Sequence, residues 1–455
     1  MRIQALVLAA FMGLAAPASA QPAPAAAPTA RLNLPVHRAR LEHGLRVVVS
    51  PDPTVATAAV AIYYDVGSRV EEQGRTGFAH LFEHLMFEGT ETLPKGEFDR
   101  LLTLRGADSN ATTSEDRTNY YELLPSSALE LGLWLEADRM RALAITSEAF
   151  ENQRLTVMEE RRQSYENQPY APSSLRLDEL FYEGYFPYSH STIGDMRDLE
   201  MPGVPPAEQL ARVREFHARW YAPDNAVLVV AGDVTPERVM ELARRHFGAI
   251  PARGAAPWRD PAWTPPRGER VERIDDAHAE APAFHIAWHA PARRSPDHYA
   301  LEVLANVLTG GDSSRLYSSL VRGREVLAEV EMGTADRRGP EMFRLWAICA
   351  AGHSPAEVRP LIDAETARVA RDGVTLREVQ KAQNAIRASF VFGLATPLNR
   401  ARALGQTELY DGDATLLLAE LDGYLAVTPA DVQRVASTVL TRENRVVLDV
   451  IPSTP

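Results

Sequence analysis

Lysine is almost missing from this 455-residue chain: of 48 basic residues, only Lys95 and Lys381 are lysine. The arginines are scattered, not gathered into a stripe, and 61 acidic residues leave a formal net charge of −13. A broad nucleic-acid-binding surface is therefore excluded. Cysteine is nearly absent too. Cys349 stands alone in the apolar run Leu345-Trp346-Ala347-Ile348-Cys349-Ala350, so no intrachain disulfide can form. Its thiol reads as a small buried apolar group. After the leader described below, no stretch approaches the ~20 uncharged apolar residues that a membrane span needs. What remains is ordinary globular composition, 45% hydrophobic and 24% charged, in a length suited to roughly two to four domains. Collagen-like, coiled-coil and disordered classes do not fit it.

Residues 1–20 combine a basic start (Arg2), an apolar stretch from Ala5 to Ala16 and the small-x-small ending Ala18-Ser19-Ala20. This is the pattern of a signal peptide, with cleavage expected after Ala20. The mature chain is then exported without a membrane span, and in a Gram-negative cell it is periplasmic. Residues 21–30 (QPAPAAAPTA) read as a flexible tether.

Two apolar runs follow, Leu45–Val49 and Ala58–Tyr64, separated by Pro51-Asp52-Pro53, and they read as strands around a turn. Helical periodicity is expected near Gly77, from Ala128 to Arg141 and from Ser147 to Tyr165. Proline crowds residues 251–267 (PARGAAPWRDPAWTPPR), as in an exposed interdomain linker. The plan before this strap recurs after it. Pro206 opens a helical pattern leading to the apolar run from Asn225 to Val230, and Pro429 opens one leading to Asn444 through Leu448. The expected architecture is α+β, with a domain at 31–250 and a similar one at 268–455. Each would be a mainly antiparallel sheet with helices packed on one face.

The chemistry-bearing signal is Gly77-Phe78-Ala79-His80-Leu81-Phe82-Glu83-His84-Leu85-Met86-Phe87. On a helix, His80 and His84 are four residues apart and share a face, so both imidazoles can reach one metal ion. Glu83 reaches the same side and is placed to take a proton from a water on that metal. With 12 histidines in 455 residues, chance supplies only about 0.02 such matches per chain. Two histidines do not complete a catalytic zinc site, which takes three protein ligands. Glu159 and Glu160, in the helical stretch Glu151–Gln163, are the available third ligands.

The motif resembles that of the pitrilysin/insulinase metallopeptidases, whose H-x-x-E-H inverts the commoner H-E-x-x-H. Gly67–Glu71, Phe87–Thr90, Asn110–Thr113, Asp116–Tyr121, Pro187-Tyr188 with Ile193-Gly194, Asn225 through Gly232-Asp233, and Gly310–Leu316 extend the likeness over nearly the whole mature chain. The resemblance implies a clamshell-type zinc endopeptidase for peptides or unfolded segments, with one Zn2+ per chain. It implies His80, His84 and Glu160 as ligands, since 160 − 84 = 76 matches the family's spacing, and Glu83 as general base. It also implies an edge strand near Asn110 and Ala111 that pairs with the substrate backbone.

Two positions depart from the family pattern. Seven residues before Glu160, where many members carry a second glutamate, stands Gln153, whose amide can still orient a ligand. In the stretch Leu320–Glu329, full-length members carry an Arg and a Tyr seven residues apart that bind substrate and stabilise the oxyanion. Here Arg322 is followed at that distance by Glu329, and Arg324 by Glu331. That absence implies the zinc subunit of a two-chain enzyme, with a homologous partner supplying the Arg/Tyr pair. The alternative is a non-catalytic scaffold or processing-enhancing subunit, which the intact motif disfavours. His285 and His289 fall on one strand face too far apart to chelate, and His190 and His217 read as surface or packing residues.

Overall fold

Apolar runs that do not alternate need cover on both faces of the sheet they enter. The computed structural model, which describes residues 33–254 and 258–453, shows what supplies it. The expected signal peptide and tether lie outside the described residues.

The first sheet has six strands in the order β1-β2-β6-β3-β5-β4. They are β1 (His37–Arg40), β2 (Arg46–Pro51), β3 (Thr57–Tyr64), β4 (Asp108–Thr113), β5 (Thr118–Pro125) and β6 (Ala226–Gly232). The helices of this half are α1 (Phe78–Leu85), α2 (Glu97–Thr103), α3 (Leu129–Ala142), α4 (Ser147–Arg161), α5 (Ala171–Phe181), α6 (Met196–Glu200), α7 (Pro206–Trp220) and α8 (Pro236–Phe247). The second sheet runs β7-β11-β8-β10-β9. Its strands are β7 (Arg270–Asp276), β8 (Ala283–Ala290), β9 (Leu327–Thr334), β10 (Glu341–Cys349) and β11 (Arg445–Pro452). Its helices are α9 (Pro296–Thr309), α10 (Pro355–Asp372), α11 (Leu376–Gly393), α12 (Pro397–Asp411), α13 (Leu416–Leu425) and α14 (Pro429–Val439).

Strand for strand, 2-6-3-5-4 maps onto 7-11-8-10-9. The one parallel pair of each sheet, β2/β6 and β7/β11, occupies the same place, and the other corresponding pairs are antiparallel. The expected α+β class with two similar halves is what the structure shows.

Within β3, Ala58, Val60, Ile62 and Tyr64 face the main core with Leu81, Phe82, Leu133 and Val213. The opposite face is covered from the other half. The Tyr63 hydroxyl donates to the Arg402 carbonyl of α12 at 2.9 Å, and Gly405 of that helix lies flat on the Tyr63 ring. Glu408 of α12 takes two hydrogen bonds from Arg38 on β1, at 2.7 and 2.9 Å. The exchange is reciprocal. Leu177 and Phe181 of α5, with Tyr182, Tyr185 and Tyr188 beyond it, pack on Ala287, Met342, Val446 and Leu448 of the second sheet. Each sheet thus has its own helices on one face and a borrowed helix on the other.

Polar contacts close the same interface. Buried Asp116 accepts from Arg69 (2.8 Å), the Tyr188 hydroxyl (2.8 Å) and the Arg338 amide (3.0 Å). The described residues of the proline-rich strap are mostly exposed, yet two of its side chains are tied down here. Asp260 accepts from Arg69 Nε (2.9 Å) and the Tyr185 hydroxyl (2.6 Å), while Trp263 packs on Tyr182, Tyr185 and His289. Proline content signals the lack of helix or strand, but not the absence of docking. Cys349 is buried at the end of β10, and burial pushes its thiol up to about 12, so it is inert.

A Cβ at Gly405 would sit 2.4 Å from the Tyr63 ring, whereas one at Gly393 of α11 would meet open space. Alanine favours helices over glycine by about 1 kcal/mol, so the two sites should respond with opposite sign. Gly405→Ala is expected to destabilise by about 1–3 kcal/mol and Gly393→Ala to stabilise slightly, read from denaturant midpoints.

Candidate metal centre

Helix α1 has eight residues, and Phe78, Ala79, Leu81, Phe82 and Leu85 are all buried. Its remaining face therefore presents His80, Glu83 and His84. Gly77, at φ +87°, opens the helix. A Cβ on Gly194 would lie 2.5 Å from the Gly77 Cα, so glycine lets the segment after Tyr188 pass directly beside the start of α1.

Helix α4 brings the third group. Glu160 Oε2 lies 3.3 Å from His84 Nε2 and 3.7 Å from His80 Nε2. One ligand atom from each of the three residues falls within 4.8 Å of the others, and no other such group of three occurs among the described residues. Tetrahedral zinc with bonds of about 2.0–2.1 Å places its ligand atoms about 3.3–3.4 Å apart. The donor set therefore fits a zinc ion with little movement. Glu159 turns away to Arg162 and Gln163.

The electrostatics suit a cation. Burial, then the neighbouring charge of His84, depresses His80 to about 4, so its imidazole is neutral, although Glu160 opposes the shift. Burial also works against charge on His84, but the Glu160 hydrogen bond and charge prevail and raise it. The same hydrogen bond holds Glu160 below the usual carboxylate range. An ionised carboxylate beside imidazoles with available nitrogens is a donor set for a divalent ion. Glu83 is pushed up by burial, partly offset by the Thr113 hydroxyl, which donates to its Oε2 at 2.5 Å.

Gln153 stands one helix face back. Its Oε1 is 3.2 Å from His84 Nδ1, and its amide nitrogen donates to Glu88 Oε1 at 2.5 Å. Lys95 pairs with Glu88 at 2.7 Å, so a chain of contacts runs from the imidazole to the surface. A glutamine can accept from the ring and donate to Glu88 at once; a glutamate at 153 would face the Glu88 carboxylate.

A cavity of about 210 Å3 opens over the cluster, lined by His80, Glu83, Ala111, Thr112, Thr113, Glu160, Tyr165, Thr192 and Ile193. Strand β4 is one edge of the sheet, paired among the described residues with β5 alone. Ala111 lines the cavity, while Asn110 is exposed on the edge beyond it, its side chain accepting from the Ala111 amide. Sequence reasoning missed Thr113, Thr192 and Tyr165. Tyr165 was expected within a plain helix, but α4 widens after Arg161 into a π-helical turn, Arg162–Glu166, that puts its ring beside Glu160. His285 and His289 hold no cluster: the first bonds the Ser173 hydroxyl at 2.8 Å, the second packs on Phe181 and Trp263. His217 stacks on Phe82 and Tyr221.

Two sheets of matching topology with an H-x-x-E-H helix and a distant glutamate define a class of metallopeptidase fold. Comparison with known proteins gives the family. A family model described as "Insulinase (Peptidase family M16)" matches residues 46–186, and one described as "Peptidase M16 inactive domain" matches residues 208–386. An uncharacterized zinc protease of Mycobacterium leprae is 30% identical over 409 residues, 90% of each chain. The zinc protease PqqE of Helicobacter pylori is 33% identical over 302 residues, 65% of this chain and 66% of that one. Among solved structures, a protease from Helicobacter pylori aligns with a TM-score of 0.86 at 26% identity, over 92% of this chain and 100% of that one. The M16 inactive domain from Pseudomonas fluorescens shares the fold, with a TM-score of 0.82 at 19% identity over 93% and 98%. The chain belongs to the M16 family of peptidases.

Gln153→Ala removes the group that orients His84. It should weaken zinc binding by about 10–100-fold, measured by competition with a chromogenic chelator, and leave the melting temperature of the metal-free protein nearly unchanged.

Proposed function

We propose that this chain is an exported zinc endopeptidase that cleaves peptides or unfolded segments, working as the zinc-binding member of a two-chain enzyme. The observation that carries the reading is the convergence of His80, His84 and Glu160 at coordination distance, with Glu83 beside them and an open strand edge next door. The zinc-protease names of the homologues support it.

In this reading His80, His84 and Glu160 hold one Zn2+. When bound, zinc supplies a Lewis acid for the scissile carbonyl and acidifies a water toward a pKa of ~7. Glu83 accepts the proton from the attacking water and later delivers it to the leaving amine. Its raised pKa suits that transfer, and the Thr113 hydroxyl fixes which carboxylate oxygen faces the cavity. Gln153 holds the ring plane of His84. The substrate backbone pairs in extended form along Asn110–Thr113, adding a strand to the sheet edge.

The second half contributes no Arg/Tyr pair at the expected spacing, and an "inactive domain" model matches residues 208–386, reaching from the end of the first half into the second; both support a reading in which the chemistry lies in the first half. A homologous partner supplies the missing oxyanion donors. Export to the periplasm rests on residues 1–20; among the described residues, no helix is long and apolar enough to cross a membrane.

Zinc content together with Glu83→Gln tests the reading. The variant should bind one zinc per chain and lose about 10²–10⁴-fold in kcat on an unstructured peptide. Normal cleavage by Glu83→Gln, or a purified complex without stoichiometric zinc, sinks it. The two-chain assignment is tested separately: a monomeric single chain with full activity contradicts it.

A further inference from the structure

One histidine outside the metal cluster is bonded in a way that fixes its protonation. His190 was read from sequence as a surface or packing residue, but its ring is largely buried and fully engaged. Nδ1 lies 2.8 Å from the Phe186 carbonyl oxygen. Nε2 lies 3.0 Å from the Ser68 carbonyl oxygen and 3.2 Å from Glu71 Oε2. All three neighbours are acceptors, so each ring nitrogen must carry a hydrogen; a neutral ring would set one lone pair against another. The ring also stacks on Phe186, with centroids 4.4 Å apart and planes 17° off parallel.

Glu71 completes the geometry. Its side chain is fully buried. Oε1 accepts from the Ala79 amide at 2.8 Å, and Oε2 accepts from the Gly77 amide at 2.9 Å as well as from His190. Burial pushes the Glu71 carboxyl up, but the His190 contact and the Ala79 and Gly77 amides work the other way and favour the ionised form, which binds free amides of the first turn of α1. On the other side of His190, Thr192 and Ile193 form a wall of the metal cavity, and the Thr192 hydroxyl lies 3.3 Å from that of Ser68. Other charged groups nearby are engaged elsewhere: Arg69 with Asp116 and Asp260, Asp198 with Thr76, and Arg161 with the Gly194 carbonyl.

We propose that His190 is a positioning residue: as an imidazolium it forms a buried ion pair with Glu71 that clamps the first turn of α1, and hence His80 and Glu83, to the cavity wall at Thr192 and Ile193, and deprotonation at alkaline pH releases the clamp. Burial opposes the charge, but the Glu71 hydrogen bond and charge, with the two carbonyls, outweigh it and raise the titration of His190 above its ordinary value. The stabilisation is therefore complete below the usual histidine range and is lost as pH rises through the raised value. Where activity is the readout, the inference rests on the peptidase reading above; the structural readouts do not.

Histidine-labelled, zinc-loaded full-length protein is titrated by NMR, with His190→Gln for assignment, and melting temperatures of wild type, His190→Gln, Glu71→Gln and the double variant are compared from about pH 6 to about pH 9. His190 should show protons on both nitrogens at neutral pH and titrate above ~6.5. His190→Gln should melt at least about 2 °C below wild type at the acid end, with the gap closing at the alkaline end and the double variant no worse than either single. On a peptide substrate, wild type should lose kcat on the alkaline side with KM unchanged, a limb that His190→Gln lacks. A His190 titration at or below its ordinary value, or a melting gap independent of pH, overturns the proposal. If His190→Gln does not fold, the wild-type titration decides alone. A wild type that binds zinc but cleaves nothing refutes the peptidase reading and leaves the ion pair to be judged by NMR and melting; active wild type with a constant gap refutes the ion pair alone.

Discussion

Two imidazole nitrogens and a carboxylate oxygen can share one cation only if their helices are held to within a few tenths of an ångström. Here one source, α1, has eight residues, too short to be stable by itself. Its position is therefore imposed by contacts. Leu81, Phe82 and Leu85 pack in the same core as Val157 and Met158 of α4, the helix that carries Glu160. The Tyr120 hydroxyl of β5 donates to the Phe82 carbonyl at 3.1 Å, and Phe216 and His217 of α7 stack on the Phe82 ring. Just past α1, Phe87 lies over the guanidinium of Arg139, which is buried in α3 between Glu122 and Glu136. Sheet, α4, α7 and α3 each hold one side of a two-turn helix, so the segment between His84 and Glu160, which stand 76 positions apart (160 − 84), includes much of what makes the donor set rigid.

Duplication explains how such a framework arose without duplicating the chemistry. Helix α9 follows β8 as α1 follows β3, and Glu302 on it accepts from the Thr334 amide at the end of β9, at 2.8 Å. Glu83 accepts from Thr113 at the end of β4 in the same topological position. The scaffold contact between the helix and the edge strand survives in both halves. What differs is the side-chain set: among the described residues no group of three potential metal ligands forms around Glu302, which burial pushes up. One half keeps the frame as packing and the other uses it to hold the Glu83 carboxylate against a cavity.

Legibility in the sequence followed the range of each interaction. Strands β2, β3 and β6 announced themselves as apolar runs, and α1 as a motif whose members lie within four residues of one another. Glu160 and Gln153 were legible only through a family spacing, because nothing local distinguishes Glu160 from Glu159. Contacts set by partners far along the chain left no local mark. The borrowed helix α12 reads as polar and ordinary, and the need for glycine at 405 appears only against Tyr63, 342 residues away (405 − 63). His190 read only as a surface or packing residue because the partner that defines its role, Glu71, lies 119 residues earlier. The π-helical turn at Arg162–Glu166 breaks a helical period that the sequence continues without interruption. Proline density in the strap showed where regular structure stops, but the anchoring carboxylate, Asp260, depends on Arg69 and Tyr185 from the first half.

The corresponding edge strands β4 and β9 show how the halves diverged. An unpaired edge invites association, and proteins blunt it with charge unless it serves a purpose. Strand β9 is blunted: Glu329 and Glu331 are both exposed along it. Strand β4, its counterpart, carries Asn110-Ala111-Thr112-Thr113 on the stretch beside the metal cluster and has no charge there. An uncharged edge next to Glu83 and the three convergent donors suits the strand addition proposed above, whereas β9 carries the charge that blunts an edge. The defence also bears on the missing donors. Glu329 and Glu331 are the residues that stand seven positions after Arg322 and Arg324, where full-length relatives of this kind would need a tyrosine. An acid that protects an edge cannot also donate a hydrogen bond to a developing oxyanion while ionised. The second half has therefore kept its sheet, its edge protection and its borrowed helix, and under the proposed peptidase reading those donors come from the proposed partner chain.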